Sequence, residues 1–319
     1  MDNERLRLIV KVSQQYFMEG LNQQEIASKY GISRSQVSRM ISSAKSEGIV
    51  EIKIRNPLSD ESALEEELIK CFKLRDAIVV NVPAMEEVMT DVLIAKAAST
   101  VFENVIKSGD TVGVMAGKSI TSLAREVKDP QKKNLYYVPL VGGWGSEGLN
   151  WHANTNASII AKSTKGSYSI LHAPAVVTSA GTKDTLLREP EIAELLNRYR
   201  QLDVALIGVG EISKEATHVK STNMKEEEIE ALKREGVVAS IGTIFLDKNG
   251  TQLSTAFSDR MIGISGNDLK MVPIVIAVAS GEGKITSIKA TLSGGWIDIL
   301  VTDTKTAKAL LEDVQKVTK

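Results

Sequence analysis

Apolar residues in the first 50 positions recur at helical spacing and are broken by glycines. Leu6, Ile9, Val10, Ser13, Tyr16 and Phe17 lie on one face of a helix that Gly20 stops. In the segment that follows, LNQQEIASKYGISRSQVSRMI, Asn22 is placed to cap a helix carrying Ile26 and Ala27. Gly31 supplies the positive φ of a short turn, and Ser33 caps a second helix whose buried face is Val37, Met40, Ile41 and Ala44. Ala27 is small where two helices must cross closely, and Val37 is compact enough to meet it. The spacing of Ala27, Gly31 and Val37 is that of a helix-turn-helix.

The pattern then changes. Ile49 to Arg55 alternates apolar and polar residues, as a strand does, and predicts a wing beside the helices with Lys53 and Arg55 near a phosphate backbone. Asn56-Pro57 closes this module. From Asp60 an amphipathic helix presents Leu64, Leu68, Ile69 and Phe72. It is expected to link two domains or dimerise, or to pack on its own domain. The implied divisions are a DNA-binding module over 1–56, a linker helix over 57–75 and a larger domain over 76–319.

From residue 76 onward, continuous apolar runs alternate with helical stretches. The runs cover 77–82, 111–116, 136–141, 169–177, 203–210 and 273–280, with helices expected near 90–107, 119–128, 152–165, 189–200 and 225–235 and one more after Asp303. Strands that are apolar throughout are covered on both faces, so the pattern predicts an α/β domain with a mostly parallel sheet. Ligands of such sheets sit beyond the carboxyl ends of the strands.

Charge sharpens the division. The chain of 319 residues has a net charge of −1, but residues 1–56 carry +3 and the remainder −4. A basic end on an acidic body suits a module that meets nucleic-acid phosphates. The outer face of the second helix carries Arg34, Ser35, Ser38, Arg39 and Ser42, with Gln36 on its flank. Arginine pairs with guanine, glutamine with adenine, and serine with phosphate oxygens. A plain helical hairpin with a solvated polar face is the alternative. A single cysteine, Cys71, excludes an internal disulfide, and three scattered histidines disfavour a metal site, so no cofactor is expected. No apolar run approaches the roughly 18 residues of a membrane span, and the N-terminus lacks a signal-peptide core, which reads as cytoplasmic.

Several strand ends carry candidate chemistry. Gly117, Lys118, Ser119 and Thr121 follow the strand TVGVMA and form a strand-glycine-helix turn suited to phosphate, although the Walker spacing is absent. Gly142 and Gly143 precede a helix that opens near Asn150 to Asn154. Gly208-x-Gly210 lacks the third glycine of a dinucleotide fingerprint. Gly281 and Gly283 end another strand beside Lys284. Asp247 is placed either to accept sugar hydroxyls or to close an Asx-turn with Asn249-Gly250.

With these segments together, the chain resembles the SorC/DeoR-type sugar-binding transcriptional regulators, including regulators of central glycolytic genes. The likeness rests on LNQQEIASKYGISRSQVSRMI, TVGVMAGKSIT, VPLVGGWG with NWHANT, DVALIGVGEI, and VIAVASGEGK with LVTDTKTAKALL. It implies a winged helix-turn-helix followed by an effector domain of the ribose-5-phosphate isomerase/deaminase-like type. It further implies a repressor of carbohydrate-metabolism genes, a homo-oligomer (dimer or tetramer, typically a homotetramer in the family) on double-stranded operator DNA, controlled by a phosphorylated sugar. Gly117, Lys118 and Ser119 match the family's phosphate loop, Asp247 and Lys284 its effector contacts, and Asn150 and Asn154 its sugar-contacting segment. The glycolytic relatives carry a basic residue where this chain has Val141, which implies a singly phosphorylated, non-covalently held effector. An active sugar-phosphate isomerase or deaminase fused to a DNA-binding arm is the competing expectation, with Asp247, Asp259 and His152 as its candidate acid/base groups.

Overall fold

The computed structural model describes residues 3–50, 59–82, 87–145, 151–222 and 224–317. Its contacts divide the chain into two compact units, Met1–Pro57 and Leu58–Lys319.

The smaller unit is three helices: α1 (Asn3–Phe17), α2 (Gln23–Tyr30) and α3 (Arg34–Ser46). Both later helices open with a reciprocal cap. The Asn22 side chain accepts from Gln24 and Glu25 N–H while Glu25 returns to the Asn22 N–H. Ser33 and Gln36 repeat the arrangement at α3. Between them Gly31 takes φ 64°, and its N–H satisfies the Ala27 carbonyl. Val12, Ile26, Ala27, Val37 and Ile41 form the core of this unit. Ala27 and Val37 thus share the buried seam between α2 and α3. Residues 51–58, and with them most of the expected wing, lie outside the described residues.

The larger unit begins with α4 (Ser59–Phe72) and β1 (Asp76–Val80). The main sheet continues with β2 (Thr111–Val114), β3 (Tyr136–Pro139), β4 (Ser167–Tyr168) and β5 (Val204–Ile207). A small antiparallel sheet of β6 (Gly210–Glu211), β7 (Ala239–Ile241), β8 (Ile244–Leu246) and β9 (Gln252–Leu253) interrupts it. β10 (Ile274–Val278) and β11 (Ile299–Asp303) complete it. The seven-stranded order is β1-β11-β10-β5-β2-β3-β4, and every pairing in it is parallel. Val112, Val114, Leu206, Ile276, Leu300 and Val301 are fully enclosed or nearly so, as strands covered on both faces require.

The chain winds outward from β2 through β3 to β4, then returns to lay β5 on the other side of β2 and winds the opposite way. The sheet therefore reverses direction between β2 and β5, the position where doubly wound sheets open a crevice. The covering helices are α5 (Glu87–Val105), α6 (Lys118–Glu126), α7 (Ala153–Thr164), α8 (Ala180–Leu187) and α9 (Pro190–Asn197). α10 (Thr217–Ser221), α11 (Glu226–Arg234), α12 (Gly266–Met271), α13 (Ile285–Ser293) and α14 (Thr304–Val317) follow.

Two expectations need correction, and one open choice is decided. The run 169–177 is not a strand of the sheet: Leu171 is bonded to the Asn154 side chain and Pro174 removes a ladder donor. Only isolated bridges, Gly143 to Pro174 and Val176 to Met261, remain there. The run near 299–303 is a buried central strand where the sequence suggested only the approach to a helix. Finally, α4 packs on β1 and α14, with Leu68 enclosed in the main core and Glu65 accepting the Val79 N–H at 2.9 Å. Of the roles open to this helix, packing on its own domain is the one seen, and the larger unit accordingly begins at Leu58.

The β8–β9 turn is locked by close backbone approach. A Cβ on Gly250 would lie 2.3 Å from the Ala290 carbonyl oxygen and 2.4 Å from Gly294 N, and Gly250 also holds φ 79°. Gly250→Ala is expected to cost about 3 kcal/mol of stability, read from the urea midpoint at unchanged slope. A loss below about 0.5 kcal/mol, the range of a neutral surface change, would show that this approach is not maintained.

Candidate functional site

A cavity of about 420 Å3 lies beyond the carboxyl ends of β2, β5 and β10, the three strands around the reversal. Its walls are Met115 to Ile120 after β2, Gly208 to Glu211 after β5, and Ser280 to Lys284 after β10. Asp91, Trp144, Glu215 to His218, Ser240 and Gly242 complete it.

Two glycines make the turns. Gly117 stands at φ 130° before α6, and Gly281 at φ 108° before the short 3-10 turn Glu282–Lys284 that leads into α13. Neither offers a side chain to cap the N–H groups that follow. Such donors are open to a ligand or to solvent, and the N-terminus of α6 favours an anion.

Lys118 is exposed at the rim, its ammonium 4.9 Å from the centre of the Trp151 ring, while the Gly117 N–H donates to the Trp151 carbonyl. Lys284 is partly buried. Burial pushes its ammonium below the usual lysine value, Glu211 and Asp91 act to hold it up, and Lys118 adds repulsion. His218 is drawn down to about 4, first by burial and then by Lys284, so it is neutral near pH 7. Its Nε2 lies 3.5 Å from Ser240 Oγ. Glu211 accepts from Ser213 Oγ at 2.9 Å. The cavity thus sets two lysines against the carboxylates of Asp91, Glu211, Glu215 and Glu282. Such a balance suits a ligand that is anionic at one end and rich in hydroxyl donors elsewhere.

Of the residues singled out in the sequence, Gly117, Lys118, Ser119 and Lys284 meet at this cavity. Others serve the scaffold. Thr121 is buried behind the loop, donating to the Gly117 carbonyl and to Asn156 Oδ1. Asn154 spends its amide on both backbone groups of Leu171. Gly142 is needed because a Cβ would lie 2.6 Å from the Pro174 backbone, and Gly143 bridges Pro174. Asp247 closes the β8–β9 turn: its Oδ1 accepts from the Asn249 and Thr251 N–H groups at 2.8 Å each. The Asx-turn alternative therefore describes Asp247, and the residue is absent from the cavity lining. Asn150 lies outside the described residues. Val141 is wholly buried and bridges Gly263, so it reports nothing about the number of phosphates a ligand carries.

Asp91, Glu211, His218 and Ser240 were missed in the sequence. Asp91 is on a helix remote in sequence, and the other three belong to the small antiparallel sheet and its insertion, whose short strands give no periodic signal.

On the smaller unit, Arg34, Ser35, Ser38, Arg39 and Ser42 are exposed along α3. Gln36 is a partial correction: its Oε1 accepts from Ser33 N at 2.8 Å and from Ser33 Oγ at 3.0 Å. Two-point pairing with adenine needs that oxygen, so it would require the cap to open.

Residues 56–312 match the family model described as "Putative sugar-binding domain", and residues 3–45 match that of Sigma-70, region 4. The chain belongs to the SorC/DeoR family of sugar-binding transcriptional regulators. It is 30% identical to the deoxyribonucleoside regulator of Bacillus subtilis (strain 168), over 98% of this chain and 100% of that protein. The full-length sorbitol operon regulator SorC of Klebsiella pneumoniae superposes with a TM-score of 0.74 at 26% identity, covering 98% of this chain and 99% of that one. A DeoR family transcriptional regulator from Listeria monocytogenes gives 0.73 at 30% identity, covering 78% and 99%. The helix-turn-helix and the mostly parallel sheet are thus family features. Among the described residues no helix is long and apolar enough to cross a membrane, and no group of three or more His, Cys, Asp or Glu is gathered to hold a metal.

Because His218 stays neutral in the fold but takes a proton when unfolded below about pH 6.5, the unfolded chain binds more protons as pH falls. Stability therefore declines from about pH 6.5 toward 4. Between pH 7 and 4.5 the wild type is expected to lose about 2 kcal/mol more than His218→Gln, by urea unfolding at each pH. Parallel losses in the two proteins would show that His218 takes its proton in the fold as readily as in the unfolded chain.

Proposed function

We propose that this chain is a DNA-binding repressor of carbohydrate-metabolism genes whose grip is set by a phosphorylated sugar held in the cavity beyond β2, β5 and β10. The observation that carries the reading is the pair of uncapped glycine turns, each with its lysine, flanking β5 above one cavity. A phosphate fits the Gly117–Ser119 turn with Lys118 beside it, and the sugar hydroxyls then reach Glu211, His218 and Ser240. A volume of about 420 Å3 is that of a small-ligand site.

On the DNA side, Arg34, Ser35, Ser38 and Arg39 are exposed on the helix that enters the major groove in helix-turn-helix proteins. Such a helix reads a half-site, so the active form is an oligomer on a two-fold operator in the cytoplasm. The effector acts only through its differential affinity for the DNA-competent and incompetent arrangements.

The enzyme reading has less support. Asp247 and His152 do not line the cavity, and Asp259 lines a separate one of about 360 Å3 among α8, β8 and residues 258–268. These three groups do not converge as acid/base chemistry demands.

A thermal-shift screen with mono- and bisphosphorylated sugars tests the effector assignment; a phosphorylated sugar is expected to raise Tm where its unphosphorylated parent does not. Lys284→Ala is expected to weaken binding of the best such sugar by about tenfold or more, while leaving DNA affinity without effector unchanged. No shift with any phosphorylated sugar would overturn the assignment.

Arg34→Ala and Arg39→Ala are each expected to weaken binding by about 1–3 kcal/mol, measured on DNA selected by the protein from a random pool. Unchanged affinity in both would remove α3 from the DNA surface.

A further inference from the structure

The Gly281–Lys284 turn is anchored from behind by a residue that is not part of the cavity. The Gly281 N–H donates to Thr306 Oγ1 at 2.9 Å. The same hydroxyl donates to Asp303 Oδ2 at 2.7 Å, and Asp303 Oδ1 accepts the Thr306 N–H at 2.8 Å. Asp303 and Thr306 are both buried. Asp303 ends β11 and Thr306 lies in the first turn of α14, so one carboxylate caps that helix while one hydroxyl holds the ligand-side turn. A hydroxyl donating to a carboxylate is a better acceptor, so the three groups reinforce one another.

The helix so capped leads elsewhere. Thr304 Oγ1 donates to the Val80 carbonyl at the end of β1. α14 packs on α4, and Ala307, Leu310 and Leu311 share the core that encloses Leu68. α4 is the first helix of the larger unit, reached directly from the DNA-binding unit through residues 51–58 of the chain. The Gly281 turn and α4 are therefore joined through one helix by a hydrogen bond at one end and apolar packing along its side.

We propose that Thr306 is a positioning residue that fixes the Gly281–Lys284 turn and transmits its state through α14 to α4. This rests on the effector reading for its purpose, but the brace itself operates with the cavity empty. A ligand that draws the turn inward pulls on the Gly281 N–H. The pull falls on Thr306 and so on the N-terminus of α14, whose closely packed side resists continuous deformation and shifts as a body.

The test is amide hydrogen exchange on the full chain, comparing wild type, Thr306→Val and Thr306→Ser with no ligand and then with ribose 5-phosphate. Valine matches the shape of threonine without its hydroxyl, and serine keeps the hydroxyl. Without ligand, Thr306→Val is expected to speed exchange at residues 281–284 about fivefold to tenfold, the loss of one hydrogen bond. It is also expected to speed exchange in α4, and Thr306→Ser is expected to restore both. Unchanged exchange at 281–284 would overturn the brace. A change there that leaves α4 unaltered, or that serine fails to reverse, would overturn the transmission. If ribose 5-phosphate protects 281–284 in the wild type, Thr306→Val is expected to uncouple that protection from α4; persistence of the coupling would overturn the role of Thr306. Absence of protection by this probe bears on the effector reading alone, because the unliganded comparison decides the brace.

Discussion

Each parallel strand must hand its chain back across the sheet at its carboxyl end, and the geometry of that turn governs everything above the sheet here. After β2 and after β10 the turn is made by glycine at a φ that side-chain-bearing residues avoid. The turn is tight enough that the next helical segment starts without a side-chain cap, and its first N–H groups are left pointing into the crevice. A cap at either position would satisfy those donors and remove the reason for a ligand to bind. Elsewhere, at Asn22, Ser33, Ser179 and Ser265, the same backbone requirement is met by a side-chain oxygen. α7 and α9 also begin without a side-chain cap, after His152 and Glu189, so what sets the two turns at the cavity apart is the glycine that makes them.

The cavity's electrostatics follow from what surrounds these turns. Two lysines are offset by nearby carboxylates, and the one histidine in the wall is kept neutral by burial and by Lys284. A phosphate beside Lys118 would meet the uncapped N–H groups that follow Gly117. Hydroxyls entering beside Glu211 and Ser240 find acceptors. The two lysines stand on either side of β5, after β2 and after β10, with Glu211, His218 and Ser240 between them on β5's insertion.

Much of this was legible in the sequence wherever one local rule dominates. Asn22, Gly31 and Ser33 each satisfy a single backbone demand, so the helix-turn-helix could be written from spacing alone. The fully apolar runs at 111–116 and 203–210 announced strands covered on both faces. The sequence was less informative where one residue type serves two ends. Asp247, Asn154 and Thr121 have the polarity of ligand contacts, but Asp247 and Thr121 are bonded to backbone groups within four residues, and Asn154 to Leu171, which only the folded chain brings within reach. Val141 reads as a ligand-side substitution because the glycolytic relatives carry a basic residue there; here it is enclosed and bridged to Gly263. The cavity wall from Glu211 to Ser240 was invisible because two- and three-residue strands leave no period to read.

The stacking of Lys118 on Trp151 has a practical side. The ring is an indole whose emission responds to a charge held against its face, and the ammonium lies 4.9 Å from its centre at the mouth of the cavity. An anion that recruits Lys118 must take it from the indole. If the effector binds as proposed, Trp151 is placed to report it by a change in emission, with no label needed.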